Sequence, residues 1–218
     1  MGIVEKDEQA QQLYLRANII LYGDAASEAL SAQLAADIAS HWNEPQATVL
    51  LRSIPYRLQF RIAGTFAPNL QPADVYENDD PTNNYFRIES FSRLEISFVD
   101  GLGCNTGYFK LDNLLNNSTT AAHEFGHTLG LDHPHNLDIR GKGQPGIMYP
   151  RGTITDLPYQ YDPAAAPGQK GGTMNPFHRR VLQADIDDLN IPALFKWNTH
   201  AAVIGAFSSI WHDKHIAP

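Results

Sequence analysis

The segment "TTAAHEFGHTLGLDHPHN", residues 119–136, gathers three of the chain's nine histidines and a glutamate within eleven positions: His123, Glu124, His127 and His133. On a helix of 3.6 residues per turn, His123 and His127 lie about 40° apart and about 6 Å along the axis. Both imidazoles then reach one point in space, as a metal ion requires. Glu124 is displaced by about 100° round the same helix, so it serves better to hold a water at the metal than as a third ligand. Gly130 can take the left-handed conformation that ends a helix, and the turn it makes brings His133 back towards the pair. Three neutral imidazoles with a fourth position open describe a catalytic zinc rather than a closed structural site, which commonly uses thiolates. The chain has a single cysteine, Cys104. Zinc lowers the pKa of bound water to roughly 7, and a carboxylate such as Glu124 can take its proton as it attacks a carbonyl.

Other residues of the right type are weaker candidates. Asp79, Asp80, Asp100 and Asp138 could bind calcium, but solvated loop carboxylates are commoner, and a possible Ca2+ stays unassigned. His135 reads as a rim residue, and His212 and His215, at helical i,i+3 spacing, as exposed tail histidines. Cys104 reads first as a small packed residue. No elbow motif points to a serine nucleophile.

"HEFGHTLGLDH" matches in full the metzincin zinc-peptidase pattern H-E-x-x-H-x-x-G-x-x-H. "AAHEFGHTLGLDH", the later "GIMYP" and "VLQADIDDL" resemble the matrixin branch, while Pro134 after the third histidine is similar to the serralysins. The likeness is strong over 119–150, moderate at 181–189, and architectural over 17–110. It implies an α+β, metzincin-like zincin fold: a mixed twisted sheet with two helices in an upper lobe (17–132), and an irregular lower lobe (133–218) ending in a helix. Residues 1–218 would form one catalytic domain. The resemblance makes Met148 the Met-turn residue, packed under the zinc histidines with Gly130 as the structural turn. It runs substrate along an edge strand near 103–110, with Gly103, Cys104 and Tyr149 as substrate-binding residues and 149–174 walling the specificity pocket. Met148 follows His133 by fifteen positions, so 134–147 carry an insertion relative to matrixins. The position two after the methionine, a tyrosine in some metzincins, is Pro150. The expected activity is that of a zinc endopeptidase using one catalytic Zn2+ on a protein or peptide substrate. An inactive zinc-binding homologue and a toxin-type effector protease with one narrow target remain as alternatives.

The elements that must position this site can be read from periodicity. "ANIILY" (17–22) suits a buried strand, followed by a helix capped by Asp24, with Leu30, Leu34, Ile38 and Trp42 on one face and Pro45 as its stop. Residues 47–66 alternate as one or two strands, and 67–85 are loop. "FRIES" and "RLEISFVDG" return to period two, and "GLGCNTGYFKLDN" (101–113) reads as an irregular edge segment. The zinc helix is expected from Asn117 or Ser118 to about Leu129, then a long Gly- and Pro-rich stretch (134–175) and a helix in "RRVLQADIDDLN"; the tail stays unplaced.

A formal charge of -8 argues against a nucleic-acid footprint and against docking on an anionic membrane. No apolar run approaches the roughly 20 residues of a membrane helix. "MGIVEKDEQAQQ" has no features of a secretory signal, so secretion by a leaderless route or after loss of a leader is favoured over a cytoplasmic location. A monomer is expected. With no cysteine before Cys104, a thiol-latched zymogen is not expected, although Asp7 or Glu8 could approach the zinc.

Overall fold

In the computed structural model, which describes residues 1–115, 118–195 and 199–216, the period of two in the second strand organises the sheet. The strands are β1 (Gly2–Asp7), β2 (Gln12–Tyr22), β3 (Thr48–Leu51), β4 (Ile54–Phe66), β5 (Asn83–Glu89), β6 (Phe98–Val99), β7 (Thr106–Lys110) and β8 (Ala201–Ile204). The helices are α1 (Glu28–Asn43), α2 (Pro72–Tyr76), α3 (Thr120–Thr128), α4 (Gln183–Asp188) and α5 (Ile191–Leu194). Leu13, Leu15, Ala17, Ile19 and Leu21 of β2 point to one buried face, in the same core as Leu34, Ile38 and Trp42 of α1 and Phe125 of α3. The other face carries Ile20 and Tyr22, which pack with Val75 of α2, Tyr85 and Trp211.

β2 runs parallel to β4 along one edge. Its other edge is shared: Gln12–Arg16 pair antiparallel with β1, and Asn18–Tyr22 pair parallel with β5. The resulting mixed sheet of eight strands has the order β3-β4-β2-β5-β7-β6, with β1 beside β2 and β8 beside β1. The expected α+β class with a mixed sheet and few helices is what is seen.

The 47–66 segment is two strands, because Arg52 and Ser53 both take positive φ (52° and 69°) and form the two-residue turn that matches strand twist. α1 begins at Glu28, with Ser27 as its cap accepting from the Leu30 N–H. Asp24 does not cap it; its carboxylate accepts from the Ser90 N–H and pairs with Lys214 instead. α1 lies close over β4 at Gly64, where a Cβ would sit 2.2 Å from the Ser31 carbonyl oxygen.

Further expectations are corrected, beginning with residues 67–85, which hold α2 and the start of β5 rather than loop alone. "RLEISFVDG" gives only the two residues of β6, and the Ser97 hydroxyl rather than a strand backbone accepts the Lys110 N–H. The 101–113 segment is not an edge: β7 lies between β5 and β6. Gly107 is what allows this, since a Cβ there would meet the Phe98 carbonyl oxygen at 2.3 Å. The last part of the chain does not end as a lower-lobe helix. "RRVLQADIDDLN" holds only the six residues of α4. Asn190 at φ 46° then turns the chain into α5, with Pro192 in its first turn. The chain then returns to the sheet as β8, paired with β1. The tail beyond packs on the sheet: Trp211 stacks on Tyr22 at 4.7 Å, and His215 on Tyr108 at 4.9 Å. Asp7 and Glu8 lie at the β1–β2 turn, Asp7 accepting from the Ala10 N–H and Glu8 paired with Lys6.

Candidate metal centre

α3 is a short helix with almost no exposed face. Ala121, Ala122 and Phe125 are in the core, and the indole of Trp42 donates to the Ala122 carbonyl at 3.0 Å, tying α1 to α3. Of the two caps expected for it, Asn117 lies outside the described residues, and Ser118 is not the cap: that position is Thr119, with the Ser118 hydroxyl, one residue earlier, accepting from the Thr120 N–H. Gly126 is the contact point beneath: a Cβ there would lie 2.3 Å from Met148 Sδ. Met148 is thus packed directly under the helical turn that carries the histidines. Gly130, at φ 94°, turns the chain after the helix.

The three histidines converge. His133 Nε2 lies 3.1 Å from His123 Nε2 and 3.1 Å from His127 Nε2. Their nitrogens form a group within 4.8 Å, the one such cluster of three potential metal-ligating residues among the described residues. Two rings are held from behind: His127 Nδ1 donates to the Leu131 carbonyl at 2.7 Å, and His123 Nδ1 faces the Ile147 carbonyl at 2.8 Å. Arg179 Nη1 also lies 2.9 Å from His123 Nδ1. One nitrogen cannot donate to the carbonyl and accept from the guanidinium in the same tautomer. The Nδ1–H form is chemically consistent, because Arg179 Nη1 has the Tyr149 carbonyl as an acceptor. Burial holds all three imidazoles below their usual pKa, which keeps them neutral at pH 7.

Tetrahedral zinc at about 2.05 Å from each nitrogen requires nitrogens about 3.3 Å apart, close to the observed 3.1 Å. With Nδ1–H turned to a carbonyl in both helical histidines, their Nε2 atoms present bare lone pairs to one another. His133 can donate a proton to only one of them. The cluster therefore calls for a cation at its centre, and three nitrogen donors suit zinc.

Glu124, 6 % exposed, faces the same cavity and has no hydrogen-bond donor within reach among the described residues. Burial pushes its carboxyl up to about 8, with Arg179 acting in the opposite direction. The cavity is walled by Ile96, Ser97, Thr120, Pro150, Arg151 and Arg179, among others.

The remaining site candidates fall outside this cavity. Gly103 donates its N–H to the His127 carbonyl at 2.7 Å, bracing the end of α3. Cys104 is half-buried beside Ala206 on the tail. The segment at the cavity is Ile96–Ser97, just before the edge strand β6, not 103–110. Tyr149 contributes its carbonyl to Arg179, and burial raises its phenol. His135 is exposed beyond the third histidine. Asp80 bonds Thr82, Asp138 pairs with Arg140, and Asp100 binds Thr106 and His212. His212 and His215 are therefore engaged with the sheet rather than free tail residues.

Sequence reading passes over two residues that shape the site. Asp185 caps α4 at Leu182 and accepts from the Ile147 N–H, holding the Met148 turn; burial pushes it up to about 6. Arg179 is 4 % exposed and donates to the Thr119 hydroxyl at 3.0 Å. Nothing local marks either: the residue three before Asp185 is Leu182, not a capping side chain.

No protein-family model matches the chain, and no curated protein matches it. Among solved structures, archaemetzincin from Methanopyrus kandleri is similar at 11% identity and a TM-score of 0.42, over 82% of this chain and 96% of that one. A chain in the structure of a chaperone-substrate complex is similar at 12% identity and a TM-score of 0.42, over 82% of this chain and 34% of that one.

Proposed function

We propose that the protein is a zinc-dependent peptidase of metzincin type, in which His123, His127 and His133 hold the metal and Glu124 is the general base. The observation that carries this reading is the convergence of three imidazoles, with His133 Nε2 at 3.1 Å from the Nε2 of each of the other two, and an unpartnered glutamate facing the adjoining cavity. The uninterrupted H-E-x-x-H-x-x-G-x-x-H pattern supports it from the sequence side. Zinc held there supplies Lewis acidity, polarising a carbonyl and easing the ionisation of water. Glu124 receives a proton at its carboxylate and returns it to the leaving amine. The Ile147 and Leu131 carbonyls fix the rings so that Nε2, not Nδ1, faces the centre. The substrate is a peptide lying extended past Ile96–Ser97, with the Pro150–Arg151 wall opposite.

Glu124→Gln is expected to keep its zinc and its fold while losing peptide hydrolysis by about two or more orders of magnitude. Metal analysis beside a peptide-cleavage assay decides. Near-normal turnover in this variant sinks the mechanism, and zinc retention without any cleavage by the unaltered protein favours an inactive binding homologue.

A further inference from the structure

The cavity at the three histidines is cationic although the chain carries a net charge of -8. Its lining includes two arginines, Arg151 and Arg179, and one carboxylate, Glu124. Arg179 sits deep, 4 % exposed, and its hydrogen bonds go to the Thr119 hydroxyl and the Tyr149 carbonyl. Among the described residues it forms no ion pair with a carboxylate, and its hydrogen bonds run from Nε and Nη1, with none accepting from Nη2. A buried guanidinium ordinarily has an anionic partner, because its desolvation is costly. Glu124 does not fill that role: no hydrogen bond joins the two side chains, and its carboxylate is needed for the proton transfer. Arg151 is exposed at the mouth of the same cavity. Neutral imidazoles add no negative charge, and a bound divalent ion would make the cavity more positive still. Asp132, next to His133, is exposed and does not line it.

We infer that Arg179 and Arg151 are specificity-determining residues that receive a carboxylate, so that the preferred substrate carries an acidic side chain next to the scissile bond. The inference rests on the peptidase reading and names its substrate class. The exposed guanidinium of Arg151 can meet a carboxylate with two parallel hydrogen bonds and Arg179 adds a single charge-assisted one from Nη2, a combination that a neutral glutamine side chain cannot reproduce. Apolar flanks at Ile96 and Pro150 lower the local dielectric and strengthen that pairing. The acidic surface elsewhere opposes it little, since exposed charges are screened beyond about 8 Å at physiological salt.

The test uses zinc-loaded protein and C-terminally amidated peptides that differ only in Glu against Gln at each position flanking the cleaved bond. At one of those positions Glu is expected to raise kcat/KM at least about tenfold, the usual scale for a charge-assisted hydrogen bond. Arg151→Glu is expected to shrink the Glu/Gln ratio and Arg179→Met to abolish it. If Arg179→Met does not fold, the ratio in the unaltered protein and in Arg151→Glu still decides. Equal or better cleavage of the Gln peptides by the unaltered protein overturns the inference. So does a preference that appears only when the peptides end in a free carboxylate. If no peptide is cleaved, the peptidase reading fails by itself, and fluorescence anisotropy of the same labelled peptides tests the anion site. Tighter binding of Glu than Gln peptides, lost in Arg151→Glu, sustains the carboxylate site; equal binding overturns it.

Discussion

A metal site is a demand on single atoms, and here the demand falls on three Nε2 positions. His133 approaches both of the others, whereas His123 and His127 are set by the helix that carries them. His133→Ala is therefore expected to weaken zinc binding on the order of 100-fold or more, beyond the loss typical of an outer partner. Competition titration with a chromophoric chelator measures it, and unchanged affinity removes His133 from the ligand set. The spacing of the four residues is legible because a helical turn and one glycine decide it locally. Arg179 is not, since its place depends on contacts with Thr119 and Tyr149, 60 and 30 positions away. Asp185 is a second such residue and makes a pH prediction. Its folded carboxyl is pushed up from 3.8 to about 6 by burial, so the folded state holds that proton more tightly than the unfolded chain. The stabilising contribution is complete below about pH 4 and is lost as pH rises through about 6. In chelator, Asp185→Asn should be less stable than the unaltered protein at pH 4.5. That deficit should shrink by on the order of 1–3 kcal/mol by pH 7. Chemical denaturation at the two pH values checks it, and a deficit independent of pH overturns burial as the cause.

Among the elements, α3 is legible as a helix, but what fixes its depth is a glycine that the periodicity cannot rank. A Cβ at Gly126 would press on Met148 Sδ at 2.3 Å and on Met148 Cε at 3.1 Å. Replacing glycine by alanine inside a helix gains about 1 kcal/mol of propensity, whereas overpacking a filled core costs about 1–3 kcal/mol. Gly126→Ala is expected to be destabilising on balance. In a Met148→Ala background the same change should cost less, because the obstructing sulfur is gone and only Trp42 Cζ2 at 3.2 Å remains close. The double-mutant cycle in denaturant gives the coupling, and simple additivity would mean that Met148 does not set the helix depth. The hairpin of β3 and β4 shows the opposite kind of limit. Arg52 and Ser53 are not typical residues for a turn with two positive φ angles, so the alternating segment reads equally as one strand or two. β7 reads as irregular because Gly107 resembles a loop residue until its tight passage against Phe98 and Phe86 is seen.

At the scale of the whole molecule, the two ends of the chain meet beside β2. β1 pairs with β2 on one side and with β8 on the other, so it joins the N-terminal hairpin to the tail. Composition and periodicity do not reveal this, because a six-residue strand and a four-residue strand far apart in sequence carry no mutual signal. The consequence is that the first sixteen residues are not a detachable cap over the metal centre. Asp7 and Glu8 sit at the hairpin turn and line no part of the cavity that holds the histidines. A form beginning at Ala17 would lose β1 and the first five residues of β2, including Val4, Leu13 and Leu15, each fully buried. At about 1.5–3 kcal/mol for each such side chain, these three alone amount to roughly 5–9 kcal/mol. That is comparable to the whole stability of an ordinary domain, about 5–15 kcal/mol. The shortened chain is expected to lose its cooperative thermal transition, together with the tail contact made through β8. Point changes that leave the hairpin in place, Asp7→Asn and Glu8→Gln, are expected to alter neither the melting transition nor zinc affinity. A chain starting at Ala17 that melts cooperatively near the temperature of the full protein would show that β1 is an appendage to the sheet and not part of its core.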